Sequence, residues 1–415
     1  MSALLVPFVL GGLCLKDRLS PFWRRAHLLF LVAMSAAYAV ALLRVMHHNV
    51  GTLPEWDFTG FWLHGKTALQ HHNFYDPHYA RELSAGLHLS AEFRREIVEV
   101  GFWYPPPSIL IFLGLGLFSL RTAMWVWSAA NAVVLAGCVV LLWQTFLRPD
   151  GWLGFWVVAA LALSSPASRA NLAFAQTNFI TLLWFTLYWR DRHRPRSGLW
   201  LALGIVTKPF MAFLFAHEVL RRRWRVAAIT LVALAALGGV ALVMFGPATV
   251  LSYVKSSPMS RMPAYIFTEP SNQSLLAMIL RFTRYDFTQR SPYLCPPFVV
   301  VAVAMVGLTA WLSTRLDETR APWGAFLFLF LGLIIYPTVS ANYSTLLLVP
   351  LLFMLVRSDE LPYRWPGVVA LATAVYLLTS RPQAFFGIAL VWAAIAALAS
   401  LSRSEPPFHD ATLAA

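Results

Sequence analysis

Apolar residues run along this chain in long unbroken stretches, without the strict alternation of half-buried strands. Runs of roughly 20 residues, the length that crosses a bilayer as helix, cover 27–46, 122–146, 172–189, 225–245 and 293–313. Shorter runs at 105–118, 152–165, 323–337, 343–356, 366–379 and 384–401 read as further helices. The pattern predicts an all-α polytopic membrane protein. We expect a bundle of about 10–13 transmembrane or re-entrant helices in a single integral membrane domain over 1–415.

Composition supports that class. Of 415 residues, 59% are hydrophobic and 12% charged, about half the usual charged share, and the mean hydropathy is +0.63. The net charge of +13 would suit nucleic acid if it formed one patch. It is instead divided into short Lys/Arg clusters between apolar runs, the positive-inside pattern. Anionic membrane lipids are the partners it implies, and nucleic acid is not. Cys14, Cys138 and Cys295 lie in or beside apolar runs without metal spacing. The first fifteen residues lack a basic start, so no cleaved signal peptide is expected, and no internal repeat is evident.

The basic clusters at 16–25, 190–196, 221–225, 315–320, 357–364 and Arg403 mark the cytoplasmic side. Simple alternation cannot place them all there, so two runs are read as not crossing. The 105–118 run is short and opens with three prolines, which suits a half-membrane element. The segment 198–219 lies between Arg clusters and breaks at Thr207-Lys208-Pro209. It reads as a re-entrant hairpin, a form tolerated where broken backbone lines a cavity. The opposite, extracytoplasmic face then receives a long first loop, 47–104, a second loop, 246–292, and the Lys208 tip. A plasma (inner) membrane location follows, with the chemistry facing outward.

The first loop opens on Trp56-Asp57-Phe58-Thr59-Gly60-Phe61-Trp62, a carboxylate wrapped in aromatics. Phe58, Phe61, Trp62, Gly65 and Leu69 fall at helical spacing, which predicts an amphipathic helix lying in the interface. Asp57 stands where an N-cap belongs, a role worth about 1 kcal/mol, and it is equally a candidate base. The histidines around this loop, His47, His48, His64, His71, His72, His78 and His88, fit no compact ligand set, so no metal and no cofactor are expected. Lys208 is the second unexpected charge. A cation in an apolar stretch costs about 2.5–3.5 kcal/mol and normally faces a cavity and an anionic partner. The partner is either a carboxylate such as Glu218 or a phosphate, which a lysine point charge suits.

These residues form a recognisable series. Asp57-Phe58-x-x-Phe61-Trp62, Phe74-Tyr75-Asp76 and Tyr104-Pro105-Pro106 resemble the first loop of glycosyltransferase family 87, in the GT-C superfamily. Gln176-Thr177-Asn178 is similar to the family's Gly-Gln-x-Asn, with Ala175 in place of the glycine. Gly204-Ile205-Val206-Thr207-Lys208-Pro209 resembles its Gly-x-x-x-Lys-Pro hairpin. Asn272-Gln273-Ser274-Leu275, followed by Arg281, matches its Asn-Gln-Ser element, which gives that N-x-S sequence a use other than glycosylation. A last element, Tyr336-Pro337 to Asn342-Tyr343, departs by placing Asn342 near the usual acidic position.

The resemblance implies a GT-C-like bundle and a membrane-embedded inverting transferase. Its donor would be a polyprenyl-phosphate sugar, mannose first among the candidates, and its acceptor a glycolipid or glycan. Direct displacement needs one base, because phosphate leaves as a stable anion, whereas glycoside hydrolysis employs two flanking carboxylates. Asp57 is the implied base. Lys208 and Arg281, with Arg261, are implied at the donor phosphate. Trp62, Gln176, Asn178, Asn272, Gln273, Asn342 and Tyr343 are implied at the sugars. Helix–helix hydrogen bonding is the alternative use for any of the amides. Two other classes stay open. A transporter or flippase of lipid-linked sugars would also contain a broken charged helix. A non-catalytic envelope-assembly protein would tolerate neutral residues at 57 and 208.

Overall fold

The computed structural model describes residues 20–52, 57–87, 89–91, 94, 98, 101–255, 264–283, 285, 291–318, 320–357, 388, 389 and 391–396. Every regular element among them is helical, as the long apolar runs require. Four helical stretches are long and apolar enough to span a bilayer. They are α1 (Pro21–Thr52), a stretch containing α4 (Leu120–Leu142) and α5 (Gly151–Ser164), α10 (Trp224–Lys255) and α12 (Pro296–Arg315). Their outer faces carry exposed Leu29, Leu43, Val133, Val232, Val243, Val300 and Val303, a lipid-facing surface that water would not tolerate.

Shorter helices fill the interior. α2 (Asp57–Leu69) and α3 (Pro77–Ser84) belong to the first loop, and α6 (Pro166–Ala173) precedes α7 (Asn178–Arg190). α8 (Ser197–Thr207) and α9 (Ala212–Leu220) flank Lys208, and α11 (Leu275–Phe282) follows the Asn-Gln-Ser element. α13 (Ala321–Ile335) and α14 (Leu348–Val356) are buried almost all round. α1 packs on α5, α7 on α4 and α8, α8 on α10, and α13 on α12 and α9.

Three sequence expectations change. α2 is packed on nearly all sides and not along one apolar face alone, since ten of its thirteen residues are buried. Gly65 and Gly116 allow this: a Cβ at Gly116 would stand 2.8 Å from the Lys66 backbone, and one at Gly65 would stand 2.6 Å from the Phe112 carbonyl. The run 172–189 is two elements, not one helix. Asn171 accepts from the Asn178 N–H at 3.1 Å and Ala175 turns left-handed at φ +49°, so the chain breaks between α6 and α7. The second loop, 246–292, begins as helix, since α10 kinks at Gly246 (φ 77°) and continues to Lys255. The run 366–379 and most of 384–401 lie outside the described residues, as does Arg403.

Candidate active site

Lys208 interrupts an apolar hairpin because Pro209 follows it. Proline has no N–H to continue the ladder, so the lysine takes an extended conformation (φ −146°, ψ 107°) between α8 and the next turn. The Ser108 hydroxyl donates to the Val206 carbonyl at 2.5 Å, which ties this break to the end of the first loop. The Lys208 side chain is wholly buried. Its ammonium has three N–H donors, and three neutral oxygens receive them. They are the Tyr104 hydroxyl at 2.8 Å, the Gln176 Oε1 at 3.1 Å and the Tyr343 hydroxyl at 3.2 Å. The Nζ also lies 4.4 Å from the Tyr343 ring centre and 5.0 Å from that of Tyr104.

Asp57 is the first residue of α2, where the helix N-terminus favours a negative charge. Burial pushes its carboxyl above the usual carboxylate range; the Gln176 hydrogen bond and the Lys208 charge pull back against that shift, and Glu269 adds to it. Gln176 therefore joins the two charges. Its oxygen faces the ammonium, and its side chain is one of the groups that favour the charged form of the Asp57 carboxyl. Glu218 is not the partner of Lys208. It sits with Tyr188, His217 and Arg223 at the far end of α9.

Two of the expected amides have capacity left over. Asn178 is buried, and neither polar atom of its side chain has a hydrogen-bond partner. Gln273 Oε1 is likewise buried without one. Asn272 differs: its amide donates to Ile266 O at 3.1 Å and Pro337 O at 2.8 Å, and its oxygen accepts from Ser274 N and Val339 N. Ser274 also donates to Pro337 O at 2.9 Å. Asn272 and Ser274 thus lock the 336–342 segment in place, and the Gln273 N–H adds a bond to Val339 O.

The remaining expected residues lie at several distances from this centre. Trp62 donates to Phe118 O at 3.1 Å from within the packed first loop, with Lys66 over its ring. Asn342 accepts from the Ser340 hydroxyl at 2.7 Å. The Arg281 guanidinium spends its donors on the carbonyls of Thr268, Glu269 and Asn272, so it clamps the loop that carries Asn272. Arg261 is outside the described residues. Asp76 caps α3 through the His78 N–H at 2.9 Å. Tyr104 was not singled out from the sequence as a site residue. Its place in the Tyr-Pro-Pro motif was the available signal.

The profile of Glycosyltransferase family 87 matches residues 102–341, which include Tyr104, Gln176, Lys208 and Asn272 but not Asp57. An Alpha-(1->3)-arabinofuranosyltransferase from Corynebacterium glutamicum is 24% identical over 285 residues, covering 66% of this chain and 64% of that protein. The chain therefore spans just under two thirds of that relative's length. No solved structure matches it.

Proposed function

The chain belongs to glycosyltransferase family 87, and on that premise we propose that it moves a sugar from a polyprenyl-phosphate donor to a glycan or glycolipid acceptor. The observation that carries this reading is the series Lys208–Gln176–Asp57, a buried ammonium bonded to a buried amide that also acts on the half-buried carboxyl. It holds one base beside one cation in a membrane protein, which is what displacement at a phosphate-linked anomeric carbon requires.

In the proposed step the acceptor oxygen bonds to the anomeric carbon as the carbon–oxygen bond to phosphate breaks. The phosphate departs with the bonding electrons, the acceptor proton passes to Asp57, and the configuration inverts. Lys208 sets the field at the departing phosphate and holds Gln176 against the base. Asn178 and Gln273, with unpaired buried amide atoms, are the groups available to sugar hydroxyls. Arg281 acts on the site through its loop. The distribution of the basic clusters supports a reacting face outside the plasma membrane.

Mannose and arabinofuranose are the two sugars to test, the first from the resemblance and the second from the relative's name. Purified protein supplied with polyprenyl-phosphate mannose or arabinofuranose should release polyprenyl phosphate with one of them. Release by wild type and by Asp57→Asn at the same rate would remove the base from the mechanism. No release with any lipid-phosphate sugar in a panel would count against the donor class.

A further inference from the structure

The first loop carries a second polar feature, well away from Lys208. Where α2 ends and α3 begins, a solvent-open cavity of ≈ 280 Å³ is lined by Gln70, His72, Tyr79, Glu82 and Leu83, of which Gln70, His72 and Glu82 are exposed. α2 rises about 1.5 Å per residue, so Gln70 stands roughly 20 Å along the helix from Asp57. The cavity is therefore not the reaction centre.

Its walls are held firmly. α2 closes with His71 left-handed at φ 58°, the His71 N–H on Ala68 O and the His72 N–H on Thr67 O. This is the paired bonding of a Schellman end. His72 then stacks on Tyr79, ring centres 4.2 Å apart and planes 7° apart, with the His78 ring edge-on to Tyr79 at 5.3 Å. Asp76 caps α3, and the Tyr75 hydroxyl donates to Tyr104 O at 2.6 Å. The connection that frames the cavity thus ends on the residue whose own hydroxyl holds Lys208.

The lining chemistry selects the ligand. Glu82 offers acceptors only, Gln70 offers both donor and acceptor, and His72 and Tyr79 give a flat aromatic wall beside Leu83. Neither Lys nor Arg is present among the five, so a phosphate or other anion would meet a carboxylate with nothing to neutralise it. One carboxylate and one imidazole are too few to hold a divalent metal ion tightly. A neutral saccharide fits: its hydroxyls suit Glu82 and Gln70, and its C–H face suits an aromatic wall. The volume lies at the small end for ligand sites, which suits a short saccharide unit.

We propose that this cavity is a neutral-saccharide subsite that engages the acceptor glycan away from the point of transfer. The assignment rests on the transferase reading for its purpose, but not for its test. Ligand-observed saturation-transfer NMR on the full-length protein in detergent, with neutral manno- and arabino-oligosaccharides as probes, measures binding without turnover. Wild type and Asp57→Asn should both bind at least one probe. Tyr79→Ala and Glu82→Gln should bind it roughly tenfold more weakly, and Tyr79→Phe should retain it, which controls for folding. Equal binding by wild type, Tyr79→Ala and Glu82→Gln overturns the subsite even if transfer is intact. No signal from any neutral oligosaccharide overturns it as well. Loss of transfer in Asp57→Asn with unchanged saccharide binding would leave both proposals standing, whereas absence of transfer altogether would remove only the proposed function.

Discussion

The Lys208 ammonium reaches the Tyr104 hydroxyl at 2.8 Å across 104 residues of chain. That bond joins the broken hairpin to the end of the first loop. The other two donors of Lys208 go to Gln176 and Tyr343, so four separate chain segments meet at this group and Asp57. Every acceptor in direct hydrogen-bond contact is neutral, which leaves this group without a contacting carboxylate and open to an anion. Lys208→Met should leave a folded protein whose transfer rate falls by about 10²–10³. Rates measured on protein with an unchanged size-exclusion profile check this.

The Asp57 carboxyl is raised by burial and held down by Gln176 and Lys208. The proposed base works only when deprotonated, so activity should fall on the acid side at a pH above the ordinary carboxylate range. Removing the Lys208 charge should move that limb to still higher pH. A pH–rate profile of residual activity in Lys208→Met, set against wild type, reads the shift; an unmoved limb would disconnect the two groups.

The same carboxyl bears on stability. Its folded pKa lies above the unfolded one, so the folded state binds more protons between those two values. Stability therefore falls as pH rises through that window and stays reduced above it. Asp57→Asn carries no such charge. It should be more heat-stable than wild type at neutral pH while its rate drops by about 10²–10⁴. Thermal unfolding in detergent at pH 7 tests the sign.

The two neighbours in Asn272-Gln273 should separate cleanly. Asn272 makes four hydrogen bonds to the backbone, two of them to the 337–339 segment. Asn272→Ala should cost about 2–4 kcal/mol through orphaned partners. Gln273 buries an oxygen with no partner, so Gln273→Met should cost almost no stability and should reduce transfer. Unfolding midpoints and rates for the pair distinguish a structural amide from a sugar-binding one.

How much of this was legible follows from the range of the forces involved. Long apolar runs revealed the class, because bilayer thickness sets helix length whatever the neighbours are. Lys208 and Asp57 stood out because charges near hydrocarbon need a reason. The burial of α2 was not legible, because its polar residues resemble a solvated face until Gly65 and Gly116 bring the next segment against it. The break inside 172–189 was hidden for the same kind of reason: residues 174–177 are apolar or neutral, and only the Asn171 cap and the turn at Ala175 interrupt the helix. The division of labour between Asn272 and Gln273 depends on a partner segment more than sixty residues away.

Ala175 occupies the place where a glycine was expected, and its φ of +49° explains the expectation. A left-handed L-residue is strained by roughly 1–2 kcal/mol, and the Trp127 indole holds its carbonyl at 2.7 Å, keeping it there. The strained turn aims Gln176 at Lys208 and Asp57. Ala175→Gly should raise stability by up to about 1 kcal/mol with transfer retained. Ala175→Val should lower both, since a branched side chain resists this conformation. Thermal unfolding of the two variants beside wild type checks the opposite signs.

The orientation can be tested at His72, which is exposed at the end of α2. Cys138 and Cys295 are buried, so with Cys14→Ser in the background a thiol introduced by His72→Cys should label above a low background. An impermeant maleimide added to intact cells should reach it from outside if the proposed orientation holds, with the basic clusters at 190–196 and 221–225 in the cytoplasm. A cysteine replacing Arg194, which is also exposed, should label only after the cells are opened. If the two sites exchange behaviour, Asp57 faces the cytoplasm, and an extracytoplasmic acceptor could not reach it.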